Sequence, residues 1–331
     1  MWAAEVLTVE ARRLGIRPMI LYMPEWAFFE SQKLASATDA NAISRVELAA
    51  AAACDGYILV PESIENIQRR EQLPESYQRA YHETVHTWSR VLKQNSVPCV
   101  NLLAALVSKG AARLLGVDYG MWQRESLQGS LVSPNVLRRA AKPLARKLEA
   151  GRRVLITHPN GTHLELGLLG RPPFIDDGKV DERDLRDGWG GTAVPGGYLG
   201  VAVDEKIAEG RIVSNRILST RNGRCGGYTW TFRDGRLVRY EVRTGRRLFE
   251  LAYRNAGRER DRPAVLQIGL NPKLRDFPLT EDQEQGVVTV AIGRNDYFGG
   301  RTSGSFTQYA LIRGADLYVD DKLLLRRGQR V

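Results

Sequence analysis

His82-Glu83-Thr84-Val85-His86 carries the H-E-x-x-H pattern. On a helix its two imidazoles lie one turn apart on one face, a spacing that suits zinc, with Glu83 placed as the general base of a zinc-dependent hydrolase or peptidase. A different reading competes. Tyr81, Val85, Trp88 and Leu92 recur at spacings of 4, 3 and 4, an apolar helical stripe that leaves His82, Glu83 and His86 off its centre. Zinc also needs a third protein ligand, and residues further along, such as Glu125, sit in no matching motif. The stripe favours an amphipathic surface helix, and His82 and His86 with Glu83 stand as the alternative metal site.

Other chemistry-bearing residues are sparser. His158 and His163 flank Pro159-Asn160-Gly161, a turn sequence that gives them structural positions. Asp176, Asp177, Asp181, Glu182, Asp184 and Asp187 form an acidic run without EF-hand spacing, expected as a solvated loop. Cys54, Cys99 and Cys225 are far apart and form no CxxC pair, so neither a disulfide framework nor a cysteine metal site is expected. No G-x-S-x-G elbow, phosphate-binding loop or dinucleotide glycine fingerprint occurs.

The elements that must position these residues change character near Gly151. Before it, helix and strand alternate: a helix over 5–14 closed by Gly15, a buried strand over 19–23, an Ala-rich helix over 46–54, and a strand over 56–60. A long helix from Pro74 to about Lys93, a strand over 97–103 and a helix over 134–149 follow. Strands separated by helices of this length imply a parallel sheet. After Gly151, short strands recur between Gly-rich turns, and Asp234-Gly235 between TWTF and RLVRYEV is a two-residue hairpin signal. The fold class expected is an α/β N-terminal domain with a parallel sheet (1–150) followed by a mostly antiparallel β-rich domain (151–331). The chain's 331 residues suit two domains.

Five stretches in the second half carry a family resemblance. They are Thr157-His158-Pro159-Asn160-Gly161-Thr162-His163 with Gly170-Arg171; Pro195-Gly196-Gly197-Tyr198; Phe232-Arg233-Asp234-Gly235-Arg236; Ile268-Gly269-Leu270-Asn271-Pro272; and Gly286 to Gly293, leading through Gly299-Gly300 to Val319-Asp320-Asp321. In this order they resemble the catalytic domain of the thermophilic metallo-aminopeptidases of the aminopeptidase T type. The first half resembles a shortened version of that family's N-terminal domain, without its first strand. The resemblance implies a two-domain homodimer with a two-metal peptidase centre. The positions where it puts the Glu, His and Asp ligands hold other residues here: Gly197-Tyr198, then Val265, Leu266 and Gln267, then Thr289, and finally Thr307-Gln308-Tyr309. Such side chains cannot assemble a divalent-metal site, so no cofactor is expected.

What the resemblance then implies is a pseudoenzyme, a metal-free scaffold that binds a peptide without cutting it. Tyr198, Thr289, Thr307 and Tyr309, joined by Trp230, Arg294 and Asn295, are the candidate peptide-binding residues. Trp189, Tyr228, Tyr297, Phe298 and Phe306 add aromatic character around them. The role resembles that of helper proteins that hold precursor peptides in ribosomal peptide natural-product biosynthesis of the crocagin type. An enzyme with unrelated chemistry in the old peptidase groove is the other alternative. The chain has 48 basic and 38 acidic residues, a net charge of +10, and residues 151–331 contribute +7 of it (30 basic, 23 acidic). That balance favours a peptide with an acidic segment. The scattered arginines and the absence of a recognition motif argue against nucleic acid. No apolar run is long enough to span a bilayer and no leader precedes the first helix, so a cytoplasmic protein without membrane attachment is expected.

Overall fold

The computed structural model describes residues 2–70, 72–220, 223–275, 278–304 and 306–331. The chain divides into two compact units, one of residues 1–114 with 179–194 and one of 115–178 with 195–331.

The first unit is helical around a small parallel sheet in the order Tyr57–Leu59, Cys99–Asn101, Gly191–Ala193. Ser44 and Glu47 form a reciprocal capping box that starts helix Arg45–Ala53, and Pro74 opens helix Glu75–Gln94. Ala51, Leu92 and Val97 pack together between these elements, with Tyr57, Trp88 and Cys99 against them. Two expectations change here. Residues 19–23 form no strand; Met19, Ile20, Leu21, Tyr22 and Met23 lie outside any helix or strand and are exposed. The third strand comes instead from Gly191–Ala193, whose glycines read as a turn. Its backbone pairs with Cys99–Asn101 whatever its side chains are, which is why a side-chain pattern did not reveal it.

The second unit is antiparallel β with helices laid on it. Its larger sheet runs Arg236–Thr244, Gly223–Arg233, Ala208–Val213, Thr162–Gly167, Arg153–His158, Asp316–Val319, Lys322–Arg326, Gln329–Arg330, with Ile217–Thr220 paired to the second of these. Asp234 and Gly235 both take positive φ, 50° and 67°, as the tight turn between Gly223–Arg233 and Arg236–Thr244 requires. The smaller sheet runs Thr307–Arg313, Val287–Gly293, Pro263–Gly269, Tyr198–Ala202, Phe174–Asp176. One continuous core joins the sheets: Val154, Ile156, Leu164, Leu166, Ile212 and Trp230 from the larger meet Leu199, Val201, Leu266, Ile268, Val288, Val290 and Ile312 from the smaller.

Helix Pro134–Ala150 belongs to this β unit. Its Leu137, Ala141, Leu144 and Leu148 are buried in the same core as the strands. The division therefore falls at Leu114, not at Gly151, because the apolar stripe of this helix is satisfied by the sheet that follows it rather than by the elements before it. The N-terminal part is thus α/β with a parallel sheet and the C-terminal part antiparallel and β-rich. Among the described residues no helix is long and apolar enough to cross a membrane.

Candidate functional site

Strand register assembles the site. In an antiparallel pair, residues directly opposite project from the same face and neighbours along a strand alternate. In the smaller sheet Asp176 pairs with Tyr198 and Phe174 with Gly200. Tyr198 pairs with Gly269 and Gly200 with Gln267. Gln267 pairs with Thr289, and Ala291 and Gly293 pair with Tyr309 and Thr307. These residues share one face. The alternate residues, among them Leu199, Val201, Leu266, Ile268, Val288, Val290 and Ala310, form the other face and the core. The four positions singled out in sequence, Tyr198, Thr289, Thr307 and Tyr309, therefore lie on the same side of one sheet, and Gln267 sits among them.

Rings close over this face. Phe174 meets Tyr198 edge-on at 6.0 Å, and Phe298 lies 6.0 Å from Phe174 and 6.4 Å from Tyr198. A Cβ added at Gly200 would stand 2.4 Å from the Phe298 ring, so only glycine admits the ring there. Tyr297 packs on Phe298 at 4.9 Å, and its hydroxyl shares a 2.9 Å hydrogen bond with that of Tyr309.

Asn295 and Arg294 hold the loop that carries Tyr297 and Phe298. Asn295 is fully buried. Its Oδ1 accepts from the Thr302 amide and hydroxyl at 2.9 and 2.7 Å, and its Nδ2 donates to Glu205 Oε1 at 2.9 Å. Glu205 also pairs with Arg171 at 2.8 Å and accepts from the Arg301 amide at 2.8 Å. Burial alone would raise the Glu205 carboxyl, but the bonds from Arg171, Arg301 and Asn295 outweigh it and hold it at about 2. Arg294 pairs with Asp296 at 2.5 Å and lies 5.5 Å from the Tyr297 ring. Asn295 is thus a scaffold residue, its side-chain amide taken up by Thr302 and Glu205. Trp230 is also corrected: it is wholly inside the core, 4.9 Å from the Tyr228 ring, and presents nothing to a ligand. Tyr228 and Phe306 join it in the core, and Trp189 belongs to the other unit.

The electrostatics bring in a residue that sequence reading missed. Asp282, partly open to solvent, is raised to about 6 because the surrounding protein strips water from its carboxylate. Its charge acts on the hydroxyls of both Tyr198 and Tyr309. Burial first, then Asp176 and Asp282, push Tyr198 well above its usual range. Burial and then Tyr297, Tyr198 and Asp282 do the same to Tyr309. A Cβ at Gly269, on the site face, would lie 2.8 Å from the Asp282 carbonyl oxygen, so this segment runs directly over the face. Beneath it, Gln267 Oε1 and Thr289 Oγ1 are buried without a hydrogen-bond partner. The Thr-Glu-Asp-Gln-Glu stretch containing Asp282 looks like a solvated loop in sequence; the unpaired polar Thr289 inside an apolar strand was the legible signal.

The acidic run before Trp189 is likewise not all solvated. Asp176 and Asp177 are buried, Asp177 pairs with Arg138 at 2.5 Å, and Asp181 caps helix Glu182–Arg186. His158 stays structural, accepting the Asn160 amide at 3.1 Å on Nδ1.

The donor set does not suit a metal pair. Among the described residues no three His, Cys, Asp or Glu side chains converge as a metal site, and the positions that the resemblance gives to ligands hold Tyr, Gln and Thr, with Asp176 a carboxylate beside them. His82, Glu83 and His86 are exposed on helix Glu75–Gln94, apart from any third ligand. The buried side of that helix is Leu92 with half-buried Tyr81, Thr84 and Trp88, while Val85 is exposed. Thr84 takes the inward position expected of Val85 because its hydroxyl bonds the Asn41 carbonyl.

No protein-family model matches the chain, and no curated protein matches it. Among solved structures, wild-type AmpT from Thermus thermophilus is similar with a TM-score of 0.71 at 15% identity, over 99% of this chain and 90% of its own. The 2,5-dihydroxypyridine dioxygenase of Pseudomonas putida KT2440 is similar with a TM-score of 0.51 at 16% identity, over 88% of this chain and 98% of its own. The class these likenesses define is a fold, the aminopeptidase-like fold.

Proposed function

We propose that this protein binds a peptide on the face of Tyr198, Gln267, Thr289, Thr307 and Tyr309 and does not hydrolyse it. The observation that carries the reading is the composition of that face. Strand register gathers aromatic rings, hydroxyls and an amide where the resemblance puts peptidase ligands, and these groups hold a chain by packing and neutral hydrogen bonds. Hydrolysis by a bound metal would need ligands that generate a nucleophilic water, and Tyr, Gln and Thr are poor donors for that purpose. The resemblance read from sequence supports a further step, that the peptide is a precursor held for modification in ribosomal peptide natural-product biosynthesis, and that the binder is a homodimer.

Calorimetry tests the site. Tyr198→Ala and Tyr309→Ala, each folded by circular dichroism, should weaken a bound peptide by about 1–3 kcal/mol, the usual range for a buried aromatic anchor. His82→Ala should leave affinity unchanged. Unchanged affinity in both tyrosine variants overturns the assignment.

A further inference from the structure

The arginines that look scattered along the chain gather on one surface. Residues 223–262 hold eleven arginines and no lysine against five acidic residues, which is most of the molecule's net charge of +10. This stretch forms the hairpin at one edge of the larger sheet, Gly223–Arg233 with Arg236–Thr244, and the helix after it. Alternation along the strands divides the hairpin's side chains. Tyr228, Trp230, Phe232, Leu237, Tyr240 and Val242 turn to the core. The other side faces solvent, and register sets its rows. Arg239 stands opposite Thr231, Thr231 opposite Arg211, and Arg211 opposite His163. Arg236 stands opposite Arg233 beside the turn. Arg243 lies across Gly227, where an added Cβ would stand 2.8 Å from the arginine's own Cβ.

Over the three strands of the hairpin and Ala208–Val213, five arginines share this face with two glutamates, Glu209 and Glu241. Arg239 pairs with Glu241 at 2.9 Å, and Glu209 accepts the Asp234 amide at 3.1 Å. Arg211, Arg233, Arg236 and Arg243 are exposed, and among the described residues none of them pairs with a carboxylate. Like charges on one sheet face repel, and an anionic partner relieves that repulsion. A guanidinium offers a planar fork that a carboxylate meets with two parallel bonds, and the hydroxyls of Thr229 and Thr231 stand between the forks. Single-stranded nucleic acid is less well served. It is held by aromatic platforms as well as cations, and the rings of this hairpin are turned to the core. Backbone pairing is not the mode either: the edge strand carries a bulge opposite Thr231 and Phe232, which interrupts it against strand addition.

We propose that this outer face, through Arg211, Arg233, Arg236 and Arg243, docks an acidic segment of a polypeptide, a short run rich in Asp and Glu. The two sheets meet through the core, so this face and that of Tyr198 look to opposite sides of the β unit. The inference therefore stands whether or not the Tyr198 face holds a peptide.

Fluorescence anisotropy on the full-length protein tests it with four labelled probes of equal length: a peptide alternating Glu and Ser, the same peptide with Gln for Glu, an oligouridine and a DNA duplex. The Glu peptide should bind about ten-fold more tightly than the Gln peptide at low salt and lose that advantage as salt rises. Arg211→Gln with Arg243→Gln, both at exposed positions, should remove the advantage. Arg247→Gln with Arg258→Gln takes the same charge from outside this face and should keep it, as should Tyr198→Ala. Equal affinity for the two peptides overturns the inference. An equal loss in both arginine pairs also overturns it, because total charge and not the face would then bind. A loss in Tyr198→Ala alone overturns it by moving the acidic segment to the other face. Oligouridine or duplex bound more tightly than the Glu peptide, and released by the Arg211 and Arg243 pair, would assign the face to nucleic acid instead.

Discussion

Glu281 shows how much a single side chain decides in this molecule. Its Oε1 accepts the Ser219 amide at 2.7 Å, while Oε2 is buried without a partner. Burial raises its carboxyl from 4.5 to about 8 despite the bonds with Ser219. The folded state therefore holds this proton more tightly than the unfolded state does. Its stabilising contribution is complete below about pH 4.5 and is lost as pH rises toward 8. Glu281→Gln should flatten the decline of melting temperature between pH 5 and pH 8; a decline as steep as in the wild type would contradict the assignment. Asn295 makes a second case. Asn295→Ala takes away the acceptor of the Thr302 amide and one donor to Glu205 Oε1, and should cost about 1–3 kcal/mol in denaturant unfolding. Stability within a few tenths of wild type would show that the loop is held by other means. The polar Thr289 within an apolar strand, and Tyr198 beside a Gly-rich turn, are legible from the chain because they break a pattern. Asp282 is not, since an acidic residue in an acidic stretch carries no sign of the surrounding protein that strips water from its carboxylate.

At the scale of elements, the smaller sheet uses both its faces. Val287–Gly293 is buried throughout, so its sequence reads as a continuous apolar run and does not by itself tell the core face from the site face. Register does, and register depends on partners far along the chain. The hairpin at Asp234-Gly235 and helix Pro134–Ala150 were legible because their signals are local: two residues able to take positive φ, and a stripe repeating each turn. The strand Gly191–Ala193 was not legible, because only backbone pairing defines it. The Phe298 ring over Gly200 offers a test at this scale. Gly200→Ala forces the ring away and should cost about 1–3 kcal/mol in stability by overpacking, with a loss of peptide affinity. Unaltered affinity would show that the 296–298 turn does not shape the site.

The molecule as a whole joins a helical unit to a β unit, and only the second contains the residues of the face. The first leaves Met19, Ile20, Leu21 and Tyr22 exposed in a segment outside any helix or strand. Contiguous apolar surface of this kind marks a place that another surface covers. A second copy of the chain is the partner we expect. Sedimentation of the wild type at micromolar concentration should give the mass of two chains, and Leu21→Glu should shift it toward one. A wild type that remains a single chain contradicts this. The central claim, that the face holds a peptide and leaves it intact, is tested most directly by dialysing the protein to equilibrium with a defined peptide pool, with and without added zinc, cobalt or manganese, and weighing what is retained by mass spectrometry. The account predicts retained peptides of unchanged mass under every condition, with retention lost in Tyr198→Ala. Peptides shortened by an amino-terminal residue in proportion to added metal would contradict it.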